Sequence, residues 1–309
     1  MLQHTPVLFD EVLAALDIRA GGCYLDATFG RGGHSAGILQ RVGQDGRLIA
    51  IDRDPEAIRA GRDRFAADQR LTLVHSPFSR LATVVAEMGL AGRCDGVLLD
   101  LGVSSPQIDD AERGFSFAQD GPLDMRMDNR AGVSARDFLA RAPEREIARV
   151  IRAYGEDRFA KRIARRIVAA RHEAPITRTA QLADIVAAAV PMREPGKHPA
   201  TRTFQALRIQ VNDELEEVRA ALEGSLTALA PGGRLCVISF HSLEDGIVKR
   251  YMQTHSQEDP LYAGLPEVPA HARPKLRRLG RAVRPSEAEI ARNPRARSAI
   301  MRIAQRVAA

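Results

Sequence analysis

The decapeptide Asp26-Ala27-Thr28-Phe29-Gly30-Arg31-Gly32-Gly33-His34-Ser35 is a candidate cofactor turn. It follows the short apolar run Cys23-Tyr24-Leu25 and leads into a segment with helical spacing over His34–Val42. Glycines after a strand let backbone approach a ligand closely. Two common signatures fail here. Gly30 and Gly32 fit G-x-G, but Ser35 stands where the dinucleotide fingerprint needs its third glycine, and no Gly-Lys-Ser/Thr of a P-loop follows. Asp26 is more telling. A fixed negative charge beside the turn repels a pyrophosphate drawn to a helix N-terminus. The same carboxylate suits a cation. S-adenosylmethionine has an ammonium and a sulfonium and no phosphate.

Asp52 closes a second apolar run, Arg47-Leu48-Ile49-Ala50-Ile51. An acid at that place can accept both ribose hydroxyls of an adenosine, although NAD sites use the same device. It can equally cap the next helix. Phe78, after a third run Leu71–His75, is placed to cover an adenine or to anchor the core. A fourth run, Gly96–Leu99, ends in Asp100-Leu101-Gly102-Val103-Ser104-Ser105-Pro106-Gln107. A polar, proline-containing loop there suits an exocyclic amine. Oxygen acceptors from Asp100, Ser104 or Ser105, with a carbonyl beside Pro106, can draw the amine hydrogens out of plane and localise its lone pair. Positioning then supplies much of the catalysis. Methylation at cytosine C5 instead needs a thiolate beside such a loop. Gln107 follows Pro106, and Cys94 opens its strand rather than ending it, so C5 chemistry is disfavoured.

Strands alternating with helices argue for βαβ units and a parallel sheet. That rhythm stops between about Ile108 and Val211. There Arg136–Arg141, Glu144–Tyr154, Arg158–Arg171 and Ala180–Val190 read as helices, and another covers Asn212–Leu229. Alternation returns at Arg234–Phe240 and again at Ala299–Ile303. The expected organisation is a core over 1–107, a helical insertion over 108–211 and the rest of the core over 212–309. Residues 256–298, rich in Pro and Arg, read as a long surface segment.

The 309 residues carry 45 basic and 39 acidic side chains, and only four of the basic ones are Lys. From His271 to Arg306 there are eleven basic residues and two Glu, so the whole +6 excess lies near the C-terminus. Such a segment is a usable nucleic-acid footprint. Three scattered cysteines argue against a disulfide framework and fit a reducing cytoplasm. Eight histidines show no metal-ligand spacing, so no structural metal is expected. Met1-Leu2-Gln3-His4 lacks the basic start of a secretory signal, and no apolar run approaches a membrane span.

Several blocks are long and specific: Asp26–Ser35, Ala50–Pro55, Leu98–Gln107, Arg113–Phe117, Gly121–Met127, His198–Arg208, Ile238–Asp245 and Asn293–Ser298. Together they resemble the RsmH (MraW) family of bacterial 16S rRNA cytosine-N4 methyltransferases along essentially the whole chain. The resemblance implies a class I, Rossmann-like methyltransferase with a doubly wound, mostly parallel sheet and an inserted helical domain. It implies S-adenosylmethionine-dependent N4 methylation of one cytidine in the decoding centre, at the P site. The family's cofactor contacts fall on Gly32, Gly33, His34, Asp52, Phe78, Asp100 and Gln107, beside the Asp26 and Gly30 read above. The usual amino-methyltransferase loop continues Pro-Pro-aromatic, which Ser105-Pro106-Gln107 does not, so the acceptor is either Asp100 or the Ser104/Ser105 pair.

Phe115 and Phe117 can stack on an extruded base or pack the insertion. Asp124, Arg126 and Arg130 can hold RNA or form a salt-bridged loop. His198, Arg202, Thr203 and Arg208 cluster where the insertion returns to the core, which favours a substrate-facing role. His241 and Ser242 lack a matched acid for a hydrolase triad. The expected partner is 16S rRNA within an assembled 30S subunit. A DNA amino-methyltransferase is the nearest alternative. A nicotinamide-dependent oxidoreductase is opposed by Asp26 and Ser35, and a non-enzymatic RNA-binding module by the intact cofactor elements.

Overall fold

The computed structural model describes residues 6–191, 196, 198–262, 267, 269 and 272–308. Met1–His4 lie outside the described residues, as do His271 and parts of the 256–298 segment. The chain packs as two compact units. One comprises the residues up to Gly102 together with those from Leu215 onward, and the other Val103–Glu214.

The first unit is built on seven strands: β1 (Cys23–Asp26), β2 (Arg47–Asp52), β3 (Leu71–His75), β4 (Cys94–Asp100), β5 (Leu229–Ser239), β6 (Leu276–Arg278) and β7 (Ile300–Arg306). They lie in the order β3-β2-β1-β4-β5-β7-β6. β1 to β5 are parallel, whereas β7 runs antiparallel to both β5 and β6. This is a class I, Rossmann-like, doubly wound sheet. The central strands are apolar runs because helices cover both faces: Leu48–Ile51 and Val97–Leu99 are fully buried. Helices α1 (Phe9–Ala15), α2 (Gly33–Arg41), α3 (Pro55–Arg64) and α4 (Leu81–Glu87) follow in chain order. Pro55 sits at the start of α3, where Asp54 caps by accepting from Glu56 N–H at 2.9 Å.

The second unit contains α5 (Ser105–Asp109), α6 (Ala135–Arg141), α7 (Glu144–Gly155), α8 (Ala160–Glu173), α9 (Thr179–Ala189) and α10 (Thr201–Asn212). Its core includes Leu139, Ile147, Ile151, Ile163, Ile167, Leu182, Val186 and Leu207. One sequence expectation is corrected. The Ser104–Gln107 stretch is the start of α5 rather than a loop: Ser104 N–H donates to Gln107 Oε1 at 2.9 Å in a capping box, and Pro106 is tolerated in a first turn. His198–Arg208 lies largely on α10. The helix expected over Asn212–Leu229 is α11 (Glu214–Ala228), separated from α10 by Asp213 in the left-handed region. Neither glycine nor proline marks that break. The first unit closes with α12 (Ser242–Thr254) and α13 (Glu287–Arg292). Among the described residues no helix is long and apolar enough to cross a membrane.

Candidate active site

The strand order reverses about β1, between β2 and β4, and ligands of such sheets bind outside the carboxyl ends at that point. Three acids end these three adjacent strands. Asp26 closes β1, Asp52 lies two residues past its pairing level on β2, and Asp100 two past it on β4.

The glycine turn is laced to them. Asp26 is 1% exposed; its Oδ1 accepts from Thr28 N–H at 3.1 Å and its Oδ2 from the Ser35 hydroxyl at 2.7 Å. Thr28 Oγ1 in turn accepts from Asp100 N–H at 2.7 Å. Asp52 Oδ2 accepts from Gly30 N–H at 2.7 Å and Oδ1 from Asp54 N–H at 2.8 Å. Gly30 has φ +55°, and a Cβ there would meet nothing closer than 3.9 Å, so its hydrogen atom leaves open space beside Asp52. Gly32 (φ +68°) caps α2, and a side chain on it would strike the rings of Phe29 and Phe65. A side chain on Gly33 would strike Pro6.

His34 is buried. Its Nε2 donates to Val7 O at 3.1 Å, because a carbonyl takes only a donor, which leaves Nδ1 bare at 3.6 Å from Asp100 Oδ2. Burial lowers the imidazole pKa to about 4, so His34 is neutral at pH 7 and makes no ion pair with Asp100. Asp100 is 24% exposed, yet its Oδ1 is a buried atom with no hydrogen-bond partner among the described residues. Burial, with Asp26 and Glu244 nearby, pushes its pKa up to about 8. Burial pushes Asp52 up to about 6, and Asp26 is raised by burial against the pull of the Ser35 hydrogen bond.

Clustered, desolvated carboxylates with an unpartnered oxygen fit a cationic ligand and oppose a pyrophosphate. S-adenosylmethionine meets both conditions: Asp26, Asp52 and Asp100 would hold its positive groups and its ribose, with the open backbone at Gly30 leaving room. A cation among these acids keeps them ionised, so binding near pH 7 should expel a proton, chiefly from Asp100. The S-adenosylmethionine Kd should therefore fall as pH rises from about 6 to about 8 and flatten above, following the two raised acids. Calorimetric titration in buffers of different ionisation enthalpy reads the release directly. A Kd with the same pH dependence in wild type and Asp100→Asn would refute this linkage.

A model of the MraW methylase family matches residues 1–307. The chain belongs to that family. It is an S-adenosylmethionine-dependent methyltransferase. Similar solved structures include an O-methyltransferase from Thermotoga maritima (11% identity, TM-score 0.44, covering 100% of this chain and 69% of that one). A protein from Clostridium thermocellum described as a putative rRNA-methylase has 11% identity and a TM-score of 0.45 over 99% of each chain. A Streptococcus mutans putative methyltransferase in complex with SAH has 9% identity and a TM-score of 0.43, over 99% of this chain and 100% of that one.

The other candidate residues of the methyltransferase fall into two groups. Phe78 is half-buried at the start of a 3-10 turn after β3. Gln107 is 6% exposed and, with Ser104, closes the start of α5; Ser105 and Pro106 form the first turn of that helix. In the helical unit, Phe115 and Phe117 pack against the apolar core. Phe117 lies 4.6 Å from the His198 ring and 4.8 Å from Phe204. Arg202 donates to the carbonyls of Gly155 and Glu156 at the end of α7. Asp124 and Arg126 form a two-pronged pair at 2.7 Å, and Asp128 pairs with Arg130 at 3.0 Å.

Arg208 grips Glu214 through two bonds of 2.7 Å, with side chains 16% and 6% exposed. Its guanidinium is engaged by that carboxylate. Arg208→Ala should destabilise the helical unit by about 3–5 kcal/mol, because it strands a buried carboxylate. Urea melting checks this. Wild-type stability with only substrate affinity lost would make Arg208 a substrate contact and not a structural one.

Two supporting residues stand outside the sequence-predicted site. Ser35, noted only as a departure from the dinucleotide fingerprint, is the donor that orients Asp26; its presence at a glycine position was the available signal. Glu244, 1% exposed, caps α12 by accepting from His241 N–H at 3.3 Å, also accepts from Phe240 N–H at 2.8 Å, and raises the Asp100 pKa. The pattern His241-x-x-Glu244 is a capping box, which assigns His241 and Ser242 to the start of that helix.

Proposed function

We propose that the enzyme transfers a methyl group to the exocyclic N4 of one cytidine of 16S rRNA, in the decoding centre at the P site, within an assembled 30S subunit in the cytoplasm. The observation that carries this is the chemistry at the carboxyl ends of β1, β2 and β4: three acids and no thiol. Cys23 and Cys94 open their strands at the opposite end, and Cys94 and Cys236 are fully buried with thiols pushed far up by their surroundings. That supports an amine acceptor over attack at C5 and agrees with the family resemblance carried by Leu98–Gln107.

When bound, S-adenosylmethionine supplies a methyl group already activated by its positive sulfur. The residues must then place an amine in line and receive its proton. We assign the acceptor to Asp100. Its Oδ1 has a free lone pair to hold an amine hydrogen out of the ring plane, and the neighbouring cation that keeps the carboxylate ionised leaves it able to take the proton. Ser104 and Ser105 are the alternative acceptors, with Pro106 stiffening the turn. We assign cofactor contacts to Asp26, Gly30, Gly32, Gly33, His34, Asp52, Phe78, Asp100 and Gln107. The helical unit is assigned to substrate recognition, with Phe115, Phe117, His198, Arg202 and Arg208 shaping it.

Methyl transfer from labelled S-adenosylmethionine to 30S subunits lacking their native modifications, followed by nucleoside mass analysis, tests the proposal. N4-methylcytidine supports it. Label in duplex DNA and none in subunits would establish the DNA alternative.

A further inference from the structure

The outer edge of the sheet carries a basic surface that the active site does not use. Among the described residues strand β6 pairs only with β7, in the register Leu276↔Arg306, Arg277↔Gln305 and Arg278↔Ala304. The chain beyond it stays attached. Leu279 N–H donates to Ile303 O at 2.9 Å, and Val283 and Met301 exchange two hydrogen bonds of 2.9 Å. Between those attachments the edge uses more residues than β7 does, so Gly280–Ala282 bulge outward, with Gly280 at φ +66°. Such a bulge re-aims side chains from an edge.

The side chains presented are Arg277, Arg278, Arg281 and Arg284, all exposed. Arg277 donates to the neutral Gln305 Oε1 at 2.6 Å. Among the described residues Arg278, Arg281 and Arg284 have no acidic partner. From Val268 to Ser286 the sequence has six basic residues and no acidic one. A cleft of about 600 Å³ opens beside the strand, lined by Ser256, Arg277, Arg278 and Gly280 among others. Charges on an edge strand also deter sheet-to-sheet pairing, a task that does not exclude a second one. Here the cations are Arg, whose planar fork matches phosphate oxygens. The backbone of Arg277 and Arg278 is fixed by β7, and the Val283 attachment ties down the chain beside Arg284, so little ordering is left there to occur on binding.

We propose that this sheet edge, with Arg277 and Arg278 at the cleft and Arg281 and Arg284 on the chain that follows, is a docking surface for the phosphate backbone of structured RNA. It rests on the RNA-substrate reading above and adds to it a contact apart from the acid cluster. The test compares wild type with Arg278→Gln/Arg281→Gln/Arg284→Gln on unmodified 30S subunits from 50 to 300 mM KCl. Three lost phosphate contacts should flatten the slope of log affinity against log salt by about 2–3. KM for subunits should rise about tenfold or more at 150 mM salt, since weakened binding alone raises KM. Both kcat and the S-adenosylmethionine Kd should hold. The three single variants, each flattening the slope by about 0.7–0.9, serve if the triple variant folds poorly. An unchanged slope and KM overturns the docking surface alone. So does a lowered kcat at unchanged KM. A wild-type protein that binds S-adenosylmethionine but neither binds nor methylates subunits overturns the RNA reading itself.

Discussion

Asp100→Asn should lower methyl transfer by about 10²–10⁴-fold while making the ligand-free protein more resistant to heat. The first effect is the loss of a proton acceptor aimed at the amine. The second follows from the raised acid. Asp100 titrates near 8 in the folded chain, against about 4 unfolded. Between those values the folded state holds the extra proton, so stability falls as pH rises from about 4 to about 8 and is level above. An amide carries no such penalty, and its N–H₂ can face the bare Nδ1 of His34. The gain should be on the order of 3 kcal/mol at pH 9, and smaller at pH 5. For a chain of this size that is roughly 6–12 °C in Tm. Melting curves of both proteins across pH, without ligand, would show the gap widening upward. Equal Tm values throughout would mean that Asp100 is not held in an unfavourable charged state. Loss of activity with gain of stability is the expected mark of a site whose geometry serves a ligand rather than the fold.

Asp52→Ala should raise the S-adenosylmethionine Kd by about 10–100-fold, the equivalent of one or two hydrogen bonds to a charged group. Part of that loss would be indirect, since Asp52 also holds the Gly30 and Asp54 amides. A ligand lacking one ribose hydroxyl separates the two roles. Wild type should bind it more weakly than the natural cofactor, whereas the variant should scarcely distinguish them. Unchanged affinity in a folded Asp52→Ala protein would remove Asp52 from the cofactor site.

Much of this site could be read from the chain because its parts are local. Asp26, Asp52 and Asp100 each close a short apolar run, and acids there have few purposes besides capping and ligand binding. The parallel strands were legible for the same reason: a strand buried on both faces is a compact apolar word. Elements without such a signature were not. β6 has three residues, two of them Arg, and exists because β7 offers it an edge. The break at Asp213 needed a left-handed residue that is neither Gly nor Asn. Ser104 and Gln107 did carry the spacing of a capping box, but Pro106 made the stretch look like a loop.

Chain order thus established the glycine turn, the three acids, the absence of a cysteine beside Asp100 and the basic bias near the C-terminus. Partnership was decided in three dimensions. Arg208 read as substrate-facing from its place in the chain, and only folding sets Glu214 against it. Phe115 and Phe117 read equally as stacking or packing residues, and folding leaves them half-buried against the helical core. Asp100 looked like an ordinary carboxylate until burial, Asp26 and Glu244 raised it. Charge and exposure depend on groups brought together from distant parts of the chain, and no local spacing encodes which of them will meet.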